Sequence, residues 1–154
     1  NMTLILAGGV FSNFYMVLRK FFQGTGQNIP SVIGTIFGLA GGISLIGVGL
    51  TPADLYLDLH LICATWLFRF FFVSSLCYSI AIIRHNHFEN KFAGGYMIFS
   101  ISILVYIIVS ELGPDPKTNQ FALGVQVMSQ KLILIIFLMS IYIQTLGFQK
   151  LMKK

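Results

Sequence analysis

Five apolar runs fill almost the whole chain, each close to the ~20 residues that a helix needs to cross a bilayer. They cover approximately residues 2–18, 30–50, 59–83, 92–112 and 127–151. The breaks between them are short and carry turn chemistry: Gln23 to Asn28, Gly49 to Asp54, and Gly113-Pro114-Asp115-Pro116. The expected architecture is therefore all-α, a polytopic transmembrane helix bundle of about five spans forming one domain over residues 1–154.

Composition supports lipid as the solvent. Of the residues, 56% are hydrophobic and 10% charged, against roughly a quarter charged in an ordinary soluble domain. A chain of this kind cannot coat a water-facing surface. The net charge of +5 does not signal nucleic acid, because the basic residues cap apolar runs instead of forming a stripe on a soluble module. Cys63 and Cys77 are separated by about 21 Å of helix and cannot bridge each other.

Laying the loops alternately on two sides gathers Arg19, Lys20, Arg84, Lys91, Lys150, Lys153 and Lys154 on one face. The positive-inside bias makes that face cytoplasmic, with the N-terminus outside or lumenal and the C-terminus in the cytoplasm. Asp54, Asp58, Glu111 and Asp115 collect on the opposite face.

The second span carries Gly34, Gly38 and Gly42 on one helical face, and Gly8 and Ser12 repeat the spacing in the first. Small residues four apart let helix backbones approach closely, so these five positions are expected to pack helices. Packing within the bundle is preferred to a dimer interface. Arg69 falls near the bilayer middle, where an arginine costs about 2.5–3.5 kcal/mol on insertion scales and needs a partner. Asn13, Ser74, Tyr106, Gln144 or a lipid phosphate are the candidates, and Phe68, Phe70, Phe71 and Phe72 offer a cation–π surround. Asn13 and Gln144 are the other uncharged polar side chains of note inside the spans.

The densest polar stretch runs from Thr51 to His60. If Pro52 opens the third helix, Asp54 and Asp58 share one face. Asp58, His60, Glu111 and Lys131, drawn from three helix ends, would then form an outward-facing group capable of acid/base work. His60 stands alone on that side as a nitrogen ligand, and His85-Asn86-His87 reads as a solvated turn, so no metal is expected. Ser74, Ser75, Ser129 and Cys63 lack a nucleophile motif. No cofactor is expected.

At the junction of the second and third spans, Gly47-Val48-Gly49-Leu50-Thr51-Pro52-Ala53-Asp54, followed by His60 and Ala64, resembles the six-helix DRAM/Frag/Sfk superfamily and its prokaryotic relatives, in which a glycine-ended helix, a short proline-and-acid turn and a histidine heading the next helix recur in this order. Asn1 with its small-residue helix resembles that family's second span, and Gln126 to Lys131 the polar start of its last. The resemblance implies that this chain corresponds to helices two to six, and it implies roles in lipid homeostasis, lipid-anchor remodelling or membrane trafficking. The tyrosine and asparagine richness of the eukaryotic versions is not matched.

Three functions stay open at this level. The first is a non-enzymatic membrane protein that organises lipid or serves as an accessory subunit beside other membrane subunits. The second is a lipid-modifying enzyme using His60 with Asp58 or Glu111, and the third a transporter or channel with Arg69 on its path. Membrane lipids are the expected partners, and nucleic acid is not.

Overall fold

In a computed structural model the chain forms α1 (Met2–Lys20), α2 (Asn28–Leu50), α3 (Leu57–Ile83), α4 (Ala93–Leu112) and α5 (Gln120–Met152). A short 3₁₀ turn, Asn90–Phe92, leads into α4. The structure describes residues 2–24, 26, 28–85, 88–114 and 118–152. Asn1, Asn86, His87, Asp115, Pro116, Lys117, Lys153 and Lys154 lie outside the described residues. All five helices are long and apolar enough to cross a membrane, which makes this an all-α, multi-pass membrane bundle.

Two boundaries differ from the sequence expectation. α5 begins at Gln120 rather than near Val127 and runs 33 residues, about 50 Å at 1.5 Å per residue against a hydrocarbon core of about 30 Å. Hydropathy sees only the buried length, while the helix starts where Asn119 caps it: its side-chain oxygen accepts from the Ala122 N–H at 3.1 Å. At the other boundary Pro52 does not open α3. The carbonyl of Pro52 accepts from Leu55 and Tyr56 in a turn, and the helix starts at Leu57. Asp54 therefore sits in the turn, off the helix face it was expected to share with Asp58.

Helix packing runs between chain neighbours, α1 on α2, α2 on α3, α3 on α4 and α4 on α5. Lipid supplies no hydrophobic drive between helices, so close approach and hydrogen bonds must hold them. The expected glycines provide the approach inside the bundle. Gly38 faces the Tyr15 ring, Gly42 faces Ser12 and the Gly8 backbone, and Gly34 faces Tyr78. α2 thus offers glycines to α1 and α3 at once, and Gly34, Gly38 and Gly42 are all buried.

Hydrogen bonds reinforce α2 on α3 and join the later helices. Ser74 donates to the Gly34 carbonyl at 2.7 Å, Thr35 and Tyr78 share a 2.7 Å bond, and so do Ser75 and Ser100. Gln144 donates to the Phe92 carbonyl at 2.5 Å, tying α5 to the start of α4. Outward-facing positions are apolar, among them Ile36, Ile43, Ile101 and Leu138. The exposed hydroxyls of Ser102 and Thr145 donate back to carbonyls four residues earlier, which keeps them satisfied against lipid.

Candidate functional site

The first and last helices are not in backbone contact, although phenylalanine rings link them, Phe11 to Phe137 at 4.7 Å and Phe21 to Phe148 at 4.4 Å between centroids. Toward the acidic end of the bundle, the end of Thr51 and Glu111, the helices leave a partly open cavity of about 250 Å³. Its walls come from every helix, with Leu4, Leu45, Leu67 and Ile133 representative of them. Phe11, Phe71, Phe99 and Phe137 also line it, and the last three stack with centroids 4.7–5.0 Å apart. These rings form an aromatic layer across the bundle.

His60 and Gln130 are the polar residues on the cavity wall. A carbonyl can only accept, so His60 Nδ1 carries a proton and donates to the Thr51 carbonyl at 2.6 Å. Nε2 is then the nitrogen left for a ligand. Gln130 donates to the Tyr106 hydroxyl at 2.9 Å, and Tyr106 in turn packs its ring 4.6 Å from Phe68. Both mouth residues are thereby held by the scaffold, not by each other.

Of the four residues expected to form an acid/base group, His60 and Glu111 each bond another partner. Glu111 Oε1 meets Arg69 Nη2 at 2.5 Å, with side chains 53% and 40% exposed. Lys131 stands exposed on α5, and Asp58 is exposed in the first turn of α3. Arg69 itself finds a partner outside the expected set. Ser74 bonds Gly34, Gln144 bonds Phe92, and Asn13 donates to the Gly9 carbonyl at 3.0 Å. The long side chain reaches along α3 from mid-helix to the end of α4, the behaviour of a snorkelling arginine. The ring over which its guanidinium lies is Trp66, at 5.3 Å, rather than a member of the phenylalanine cluster.

Beyond the aromatic layer, toward the basic end, lies a feature the sequence reading passed over. Tyr15, Tyr78 and Tyr96 are fully buried, with successive ring centroids 5.9 and 6.1 Å apart. Ser31, Thr35, Ser74, Ser75, Ser79, Ser100 and Gln144 are buried as well, and Thr35 bonds the Tyr78 hydroxyl. The available signal was a tyrosine in the basic-end portion of three different spans, masked by attention to ionisable groups. At the outer edge of that end, Glu89 pairs with Lys150 and with Lys91, the latter at 2.7 Å.

Among the described residues, no three His, Cys, Asp or Glu side chains are placed to hold a metal ion. No family model, curated protein or solved structure matches the chain.

Proposed function

We propose that the protein is a non-enzymatic, lipid-organising membrane protein whose cavity holds a segment of one acyl chain. The observation that carries this reading is the partly open space of about 250 Å³ between all five helices, walled mainly by aliphatic and aromatic groups. Lipid is the surrounding solvent there, and an apolar recess in it takes hydrocarbon. Drug-sized sites run to roughly 300–1,000 Å³, so this one accommodates part of a chain, with His60 and Gln130 at the wall available to its polar end. The basic end, carrying Arg19, Lys20, Arg84, Lys91 and Lys150, is assigned to the cytoplasm on the positive-inside rule, which puts the cavity in the outer leaflet. A lipid role also agrees with the resemblance to the DRAM/Frag/Sfk superfamily.

Rival readings have less support. Catalysis by His60 and Glu111 would need them free to meet, whereas each is engaged elsewhere. Transport past Arg69 would need a path through stacked Phe71, Phe99 and Phe137. An accessory role through the glycine face would need that face exposed, and it is spent on α1 and α3.

The test is photolabelling of the full chain in nanodiscs with a phospholipid carrying a diazirine midway along an acyl chain, followed by peptide mapping. Label is expected to concentrate on Leu67, Phe68 and Ile133, and to leave them in Ala64→Phe, which narrows the cavity. Label spread evenly over Ile101, Leu138 and the cavity residues, unchanged by Ala64→Phe, would overturn the reading.

A further inference from the structure

Five buried polar atoms on the basic-end side of the aromatic layer have no hydrogen-bond partner among the described residues: the Tyr15 and Tyr96 hydroxyls, Ser79 Oγ, Arg19 Nε and Gln144 Oε1. The Tyr15 hydroxyl has a polar side chain nearby. It lies beside Ser74 without forming a well-aligned bond, and Ser74 gives its own proton to Gly34. Tyr15, Ser79, Tyr96 and Gln144 are between 0% and 1% exposed, so neither bulk water nor lipid headgroups reach them directly.

Their positions place them together. Arg19 follows Tyr15 by one turn of α1, and the Tyr15 ring stacks on Tyr78 at 5.9 Å. Ser79 is the neighbour of Tyr78 on α3. Gln144 is tied through its NH₂ to Phe92, one turn before Tyr96. The three tyrosine rings bridge α1, α3 and α4 in one row.

An unmet polar group costs several kcal/mol in hydrocarbon, where nothing competes for its hydrogen bonds. So many in the basic-end half of a bundle that otherwise satisfies its hydroxyls call for a common partner. The donor and acceptor inventory says which. Arg19 Nε–H only donates, Gln144 Oε1 only accepts, and the tyrosine and serine hydroxyls do both. An anion would meet the Gln144 carbonyl oxygen, and a cation would meet the guanidinium. Water serves all of them, typically with about three hydrogen bonds per molecule.

We infer that the basic-end half of the bundle contains an internal hydration site, a small cluster of ordered waters bonded to Tyr15, Tyr96, Ser79, Arg19 and Gln144. The waters lie on the Arg19 side of the Phe71–Phe137–Phe99 stack and stop there. The bundle is thus divided in depth, wet and hydrogen-bonded toward the basic end, dry and apolar toward the cavity.

Radiolytic hydroxyl-radical labelling of the full chain in nanodiscs tests this, because radicals made from bound water mark side chains that bulk water does not reach. Rates are normalised to those of the denatured chain. Tyr96 and Tyr15 are expected to label several-fold faster than Phe99 and Phe137, which are buried to a similar degree in the aromatic layer. Equal or slower labelling of the tyrosines overturns the inference. The unfolding midpoint of Tyr96→Phe supplies a second readout of opposite sign for the two cases. Losing a water-bonded hydroxyl lowers the midpoint, whereas losing a dry, unpartnered one raises it, and a rise overturns the inference. Phe99 and Phe137 line the cavity whereas Tyr96 does not, so the Tyr96→Phe midpoint is the readout that is independent of acyl-chain binding.

Discussion

Arg69 Nη2 and Glu111 Oε1 meet at 2.5 Å across 42 positions of sequence, joining the middle of α3 to the end of α4 on the surface of the bundle. Removing one charge leaves the other facing lipid or headgroups alone. Exposed pairs in water are worth about 0.2–1 kcal/mol, and lower polarity at this depth moves the pair toward the top of that range. The single variants Arg69→Met and Glu111→Gln are each expected to lower the unfolding midpoint, and the double variant to lower it by less than their sum. A double-mutant cycle in nanodiscs should return a coupling of about 1 kcal/mol; a coupling of zero would show that the pair holds nothing.

Gly38 faces the flat of the Tyr15 ring so closely that a Cβ there would stand 2.5–2.7 Å from three ring carbons. Tyr15 cannot retreat, being stacked on Phe71 and Tyr78. Gly38→Ala is expected to destabilise the bundle by about 1–3 kcal/mol through overpacking. Gly124 in α5 has no atom within 4 Å of such a Cβ, so Gly124→Ala should be neutral or stabilise by up to about 1 kcal/mol through helix propensity. Thermal unfolding of the two variants side by side separates the packing effect from the propensity effect.

Glu89 accepts hydrogen bonds from Lys150 and Lys91, which hold its carboxyl down at about 2 from an ordinary 4.5. A depressed acid stabilises the fold above its unfolded value and loses that contribution as pH falls through the folded one. The clamp between the α3–α4 loop and the end of α5 should therefore weaken as pH drops from about 4.5 to about 2, and less sharply in high salt because the groups are solvent-exposed. Unfolding midpoints measured across that window should converge for the parent protein and Glu89→Gln. Parallel curves would mean the clamp contributes nothing.

Chain-level features carried most of the fold. Five uninterrupted apolar runs name five helices, and the four-residue spacing of Gly34, Gly38 and Gly42 names a packing face whose partners turn out to be Tyr15, Ser12 and Tyr78. The start of α5 was readable from Asn119, a capping residue, but a hydropathy window averages over it. The candidate site was less legible for a physical reason. Sequence marks the groups that are expensive singly, such as Arg69 and Glu111, yet their partnership depends on how far an arginine side chain reaches along the helix. The hydroxyls of Tyr15, Tyr78 and Tyr96 are individually cheap and become conspicuous only when three helices bring them into one row. A cavity has no sequence signature at all, since it is defined by what the walls fail to fill.

The sequential packing of the helices has a bearing on biogenesis. Each helix docks on the one made just before it, so α1 to α4 can assemble as they leave the ribosome without waiting for distant chain. The gap between α1 and α5 is the exception, for it closes through phenylalanine rings when the final helix arrives. On the proposed acyl-chain reading, a hydrocarbon tail lying along α1 at that moment would be enclosed as α5 docks, and would need no passage into an assembled bundle.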